Sequence, residues 1–283
     1  MNTKIIKNYS KLRVELFLLP ILLLIIIFLF LYLHDALNVM GYIHIQKNGF
    51  IFINSYLGQF PSIQSNITQL GNGFIFLSFL SIFIIYAPII WETVLWASII
   101  SFLFSKSLKS IFAIPRPAAI YDNNSFIIIG KTLSGNNSLP SGHSITIFTI
   151  LTILMFAFMP EKIKYRILYF FSIITIGLIV ASTRIGVGAH HPLDVIIGTI
   201  IGYISGLAGI FINRKYKVWN WINNKRYSPL FILLLSSCCI IFVTKIIGEN
   251  LIIFYLGLIS LVISLYKIIV VYKKNHYRHL YAQ

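Results

Sequence analysis

Charge is scarce in this sequence. Only 11% of its 283 residues are Asp, Glu, Lys or Arg, whereas a soluble domain of this size carries about a quarter. With 58% of residues hydrophobic, so little charge cannot cover a water-facing globule, and the bilayer becomes the expected solvent. Cysteine is nearly absent. Cys238 and Cys239 stand side by side in an apolar run, which excludes a disulfide framework and shows no metal-ligand spacing. They read as two small apolar residues of a membrane helix. Acidic residues are also few: seven against 23 Lys and Arg, for a net charge of +16. A nucleic-acid binder would gather that excess on one soluble domain. Here it falls in short stretches between long apolar runs, the pattern of a multi-pass membrane protein. The alternation of a membrane β-barrel is missing.

What is present is a series of apolar runs. Eight are expected to span as helices: 14–33, 74–90, 93–108, 144–158, 167–181, 193–212, 230–246 and 251–271. Helices are favoured because an unpaired backbone group in lipid costs several kcal/mol. The first run follows Lys4, Lys7, Lys11 and Arg13 and has the ~20 residues that cross a bilayer. A cleavable leader has a shorter apolar core, so the run reads as a retained helix. The basic segments 4–13, 162–166, 214–226 and 273–278 then share one side with both termini, which the positive-inside rule makes cytoplasmic. Residues 35–72 face the other side, mixing aromatic and polar residues, and are expected along the interface. No internal repeat is visible.

Three segments on that outer side carry chemistry. In the first, Lys109 ends an apolar helix and Arg116 sits between Pro115 and Pro117. Lys109 taken alone reads as a snorkelling cation, but a stiffened guanidinium suits bidentate phosphate recognition. In the second, Asn136-Asn137-Ser138-Leu139-Pro140-Ser141-Gly142-His143 runs into the fourth span. Ser141 and Gly142 are placed at a helix N-terminus, whose free N–H groups and dipole favour an anion. In the third, Thr183-Arg184 is followed by His190-His191-Pro192-Leu193-Asp194. A helix starting near His190 would put His190 and Asp194 on one face. The carboxylate would then hold one imidazole nitrogen protonated and leave the other free to attack.

Taken together, these segments resemble the type 2 phosphatidic acid phosphatase superfamily. Its signature is Lys-x6-Arg-Pro, then Pro-Ser-Gly-His, then Ser-Arg-x5-His-x3-Asp. Here it reads Lys109 to Pro117, Pro140 to His143, and Thr183-Arg184 to Asp194, in order and with every internal spacing kept. The one departure is Thr183 where the pattern has Ser. The resemblance implies an all-α polytopic bundle: a six-helix core over residues 1–213, followed by a basic loop and two further helices over 214–283. It implies that His190 attacks phosphorus, Asp194 orients it, and His143 protonates the leaving oxygen and then activates water. It implies that Lys109, Arg116, Arg184, Ser141 and Gly142 bind the phosphoryl group without a metal or other cofactor. Five residues after Arg184 selects His190 over His191, which is expected at the rim. His34, His44, His276 and His279 receive no chemistry.

The function expected from these residues is hydrolysis of a lipid phosphate or pyrophosphate at the periplasmic face of a bacterial inner membrane. The substrate would be an envelope lipid: lipid A, undecaprenyl pyrophosphate or phosphatidylglycerol phosphate. The same site would also serve a lipid phosphotransferase. A transporter or non-catalytic scaffold is a more distant alternative, since no inverted repeat supports it.

Overall fold

A computed structural model describes the backbone of residues 1–280 and the side-chain surroundings of residues 1–274. His276, Arg278 and His279 therefore lie outside the residues whose side chains are described. Among the described residues the chain is helical throughout. The N-terminal helix α1 (Asn2–Ser10) leads into α2 (Leu18–Leu33). Three short helices follow: α3 (Val39–His44), α4 (Lys47–Leu57) and α5 (Pro61–Thr68). Then come α6 (Gly73–Leu80), α7 (Phe83–Tyr86), α8 (Pro88–Phe112) and the single turn α9 (Pro117–Ile120). The bundle continues with α10 (Gly142–Ala157), α11 (Ile163–Gly186) and α12 (Pro192–Lys215). It ends with α13 (Ser228–Glu249) and α14 (Ile252–Leu280).

Six helical stretches, not eight, are long and apolar enough to cross a bilayer among the described residues. They make the chain a multi-pass membrane protein. The span expected over 74–90 is broken in two. Ser78 and Ser81 each donate a hydroxyl to a carbonyl three residues back, at 2.6 Å, competing with the helical ladder. Pro88 then starts α8, where its missing N–H costs nothing. Ile89 and Ile90 consequently belong to α8. The other departure is α10, whose 16 residues cover about 24 Å at 1.5 Å per residue. It is the central helix, packed by α8, α11 and α12, so its buried face includes Thr149 and Thr152 as well as Ile147 and Ile153. By contrast α2, α11, α13 and α14 expose Leu, Ile and Phe along most of their length, as lipid-facing helices do.

Three glycines bring α12 onto α10. A Cβ on Gly198 would stand 2.8 Å from Ser141 O, one on Gly202 2.5 Å from Ile145 O, and one on Gly206 2.8 Å from Thr149 O. Small residues four apart let helix backbones touch in lipid, where packing replaces the hydrophobic effect. The contact sets the N-termini of α10 and α12 side by side. At the other end of α10, Asn8 Nδ2 donates to Ala157 O at 3.0 Å and Arg214 Nη1 donates to Leu12 O at 3.0 Å. Arg166 Nε donates to Pro160 O at 3.1 Å. The basic segments 4–13, 162–166 and 214–217 therefore share the end of the bundle opposite His143.

Replacing Gly202 by Leu forces backbone apart, an overpacking cost of about 1–3 kcal/mol or more. Gly202→Leu is expected to lower the melting temperature and monodisperse yield in detergent. Gly248→Leu, where an added Cβ meets nothing within 4 Å, should match the unaltered protein. Equal behaviour of the two variants would remove the role given to the glycine stripe.

Candidate active site

The first segment turns back at the end of α8. Ala113, with φ 45°, closes the helix by donating its N–H to Lys109 O at 3.1 Å, the left-handed cap common at helix C-termini. Lys109 is thereby in the last turn. Beyond it, Arg116 N donates to Gly135 O at 3.0 Å and Ser138 N to Ile114 O at 2.9 Å. These bonds lay the 134–139 stretch beside Arg116. Ser141 then caps α10, with its hydroxyl accepting from Ser144 N at 3.4 Å and its own N–H donating to Asp194 O at 3.0 Å. The Ser141 side chain is fully buried and also accepts from Ser144 Oγ at 2.9 Å. Gly142, next along, has Lys109 Nζ 3.6 Å from where its Cβ would be.

The third segment arrives from α11. Ala189 N and His190 N both donate to Arg184 O, at 3.0 and 3.2 Å, and Gly188 turns at φ 76°. α12 starts at Pro192, later than the expected start near His190. His190 therefore lies before the helix and shares no helical face with Asp194. The two still meet: His190 Nδ1 stands 3.6 Å from Asp194 Oδ2. That is too long for a good hydrogen bond, and Ser138 fills the gap. Its hydroxyl donates to Asp194 Oδ2 at 2.6 Å and lies 3.4 Å from His190 Nδ1.

Asp194 is fully buried and accepts two further bonds, from Tyr42 OH at 2.8 Å and from His191 N at 2.9 Å. The other imidazole nitrogen, His190 Nε2, faces Arg116 Nη1 at 3.4 Å. A guanidinium has only donors, so the tautomer that fits carries its proton on Nδ1 and a lone pair on Nε2. Arg116 is fixed by Asn137 Oδ1, which accepts from its Nε at 2.7 Å, and by Ala189 O, which accepts from Nη1 at 3.1 Å. Arg184 donates through Nη1 to Thr68 Oγ1 at 2.7 Å. His143, in the first turn of α10, packs so closely on Gly71 that a Cβ there would stand 2.6 Å from His143 Cβ. It feels the charges of Arg184, Lys109 and Arg116, as well as His190. The structure therefore brings Lys109, Arg116, Gly142, His143, Arg184, His190 and Asp194 to one place.

His191 is not at the rim. It is fully buried, its Nε2 is 3.2 Å from Pro115 O, and its ring lies against Phe50 and Tyr121. His191 is itself the N-cap of α12, directly before Pro192, and its N–H is held by Asp194. The 35–72 segment is likewise more than an interfacial strip, since it supplies Tyr42 to Asp194 and Thr68 to Arg184. Asn54 bonds Ile127 O, Ile185 O and Gly186 O, clamping the loop to the end of α11. Ser138 is the one added residue with a local signal, standing two positions before Pro140 in a polar run. Tyr42, Asn54 and Thr68 have none.

The PAP2 superfamily matches residues 91–219, a stretch that contains all three segments. The matched stretch is just under half of the chain, and over it the chain is similar to that superfamily. The match supports a phosphatase of the type 2 phosphatidic acid phosphatase kind. The clustered Lys109, Arg116 and Arg184 supply fixed positive groups of the kind that favour an anion. The crystal structure of Aquifex aeolicus LpxE is 27% identical, with a TM-score of 0.48, covering 61% of this chain and 96% of that one. No curated protein compared with the chain matches it.

Burial pushes the His190 imidazole down to about 3; Asp194 opposes the shift, and the Arg116 and Arg184 charges add to it. His190 is therefore neutral at neutral pH. His191 shifts the same way for the same leading reason, burial. Unfolded histidines take up protons near pH ~6.5, which the folded pair refuses. More protons bound in the unfolded state means stability rises with pH. The contribution is intact above pH ~6.5 and is lost as pH falls from there towards 3. Thermal melts in detergent across pH 7.5 to 4 are expected to show this decline, with a shallower slope in His190→Asn. A melting temperature independent of pH over that range would contradict neutral burial.

Proposed function

We propose that the chain hydrolyses the phosphate ester of a membrane lipid through a phosphohistidine on His190, without a metal ion, at the periplasmic face of a bacterial inner membrane. The observation that carries this reading is the setting of His190. Its Nε2 lone pair is turned towards Arg116 and away from Asp194, where a phosphorus atom held by cations would stand. Nε2 attacks phosphorus as the ester P–O bond breaks. His143, at the free end of α10, takes up a proton once the phosphate's negative charge sits beside it, and gives that proton to the leaving oxygen. It then takes a proton from water as that water attacks the phosphohistidine and releases inorganic phosphate. Asp194, through Nδ1 and Ser138, stabilises the positive charge that His190 acquires. Lys109, Arg116, Arg184 and the Gly142 N–H hold the phosphoryl oxygens, with Ser141 keeping that N–H in place. Phosphoryl transfer asks a protein mainly for such positioning and charge stabilisation.

A lipid substrate is supported by the surroundings. A cleft of about 500 Å3 between α6, α8 and α10 is lined by His143 and Gly142 at one end and by Leu77, Phe102 and Ile150 further along. It joins the polar site to an apolar surface that a chain can follow. The periplasmic assignment is supported by the basic segments at the opposite end of the bundle. On this reading residues 1–213 form the catalytic core. The candidate substrates are lipid A, undecaprenyl pyrophosphate and phosphatidylglycerol phosphate.

The test is phosphate release from those three lipids in detergent, with and without chelator. One lipid is expected to turn over at a rate that chelator does not change. His190→Ala should lose activity by about a thousandfold or more while staying monodisperse. His143→Ala, given labelled donor, should accumulate acid-labile label on the protein. Full activity in His190→Ala would overturn the mechanism, and transfer to a second lipid exceeding release of phosphate would make the chain a transferase.

A further inference from the structure

The α13–α14 hairpin reaches the mouth of the site. Its tip turns through Asn250, with φ 48°, and Tyr255 OH donates to Asn250 Oδ1 at 2.8 Å. Asn66 Oδ1 accepts the Ile253 N–H at 3.1 Å, which ties the start of α14 to α5. Deeper in, Ser81 Oγ donates to Ser264 Oγ at 2.7 Å and Phe242 stacks on Phe74. The tip is thus held in place, and Glu249 and Leu251 wall a cavity of about 570 Å3. Its other polar walls are Ser65, Thr68, Gln69, Lys131 and Arg184. Ala189, the residue before His190, also lines it. Arg184 is only 7% exposed and its Nε has no hydrogen-bond partner among the described residues. The guanidinium beside the reacting centre therefore also borders this cavity, with donor capacity unused.

We propose that this cavity receives a hydroxyl-bearing headgroup next to the scissile phosphate, and that Glu249, supplied by the hairpin, selects for it. The proposal rests on the phosphatase reading for its place in catalysis. The chemistry of the walls carries it. Lys131 and Arg184 only donate, Glu249 only accepts, and Ser65 and Gln69 do both. An alkyl chain would leave the buried Arg184 Nε unpaired, which is costly, and would put apolar surface against the exposed charges of Lys131 and Glu249. A second phosphate would find Lys131 and Arg184 but would also meet the Glu249 carboxylate, and like charges repel. A sugar or polyol offers donors and acceptors together and satisfies both kinds of wall. Lys245 Nζ, 3.5 Å from Glu249 Oε1, occupies part of that carboxylate, yet a carboxylate has about four acceptor sites. Among the three candidate lipids, this chemistry favours the phosphorylated sugar over the pyrophosphate.

Two readouts on the full chain in detergent test this. The first is binding without catalysis. A phosphate-free diacyl glucosamine lipid is expected to raise the melting temperature of the unaltered protein, and diacylglycerol is not. Glu249→Ala and Lys131→Ala, on separate segments, should each lose that rise. The second is selectivity. Glu249→Ala should cut the preference for the glucosamine lipid phosphate over phosphatidic acid about tenfold, through KM, the loss expected of roughly one charged hydrogen bond. No melting shift with the glycolipid, or an unchanged preference in Glu249→Ala, would overturn the proposal. If no lipid phosphate is hydrolysed but the shift depends on Glu249, the headgroup cavity stands and the phosphatase reading falls.

Discussion

The site depends on one buried carboxylate. Asp194 is fully enclosed, and an ionised group there survives only if its lone pairs are met. They are met from separate parts of the chain: Tyr42 from α3, Ser138 from the loop before α10, and the N–H of His191 at the start of its own helix. Its main-chain carbonyl takes the Ser141 N–H as well. The same residue therefore fastens the outer loops, seats the cap of α10 and sits behind Nδ1 of His190. Losing it would do more than remove a partner of a histidine, because three hydroxyl and amide donors would be left unpaired in a buried place.

That arrangement needs two helix N-termini almost in contact, and Gly198, Gly202 and Gly206 permit it. Lipid gives helices no hydrophobic reason to pack, so the approach must come from backbone contact and polar bonds. The stripe starts one turn beyond Asp194 and faces Ser141 O first. The close crossing is therefore tightest to the chemistry where Gly142 and His143 begin α10. Bundle packing and site geometry are two aspects of one contact.

The local parts of this site are legible in the sequence because each is encoded within a few residues. Arg116 is held between two prolines, Ser141 caps a helix, and His190 precedes Asp194 by four. The PAP2 match covers the segments that carry them, and the spans at either end of the chain are plain from hydropathy. What is not legible is long-range. Nothing near Tyr42 or Thr68 says that it will reach Asp194 or Arg184, more than 110 residues away. The His190 helix start is misplaced because proline sets the first turn at 192, one residue after the N-cap. The 74–90 span reads as one helix because hydropathy does not register serines that bond their own backbone. The glycine stripe is different: its four-residue spacing is written in the sequence and becomes meaningful once α10 is known to be its partner.

The electrostatics of the site explain why it suits an anion. The charges of Lys109, Arg116 and Arg184 act on one another and on His143, and the Asp194 carboxylate acts on Lys109 and Arg116. Three cations against one carboxylate, largely shielded from water, repel each other more than they would at a surface. The fold supports that repulsion with neutral bonds, from Asn137 and Ala189 to Arg116 and from Thr68 to Arg184. A phosphate group relieves it, so the charge is already in place before substrate arrives and little reorganisation is needed during transfer. His190 must stay neutral beside those cations. Were it protonated, it would add a fourth cation and lose the lone pair that the proposed attack needs. Burial, which penalises charge, keeps it neutral beside Arg116 and Arg184, which are held by fixed acceptors. The division between a neutral imidazole and cationic neighbours is thus set by depth and bonding rather than by residue type alone.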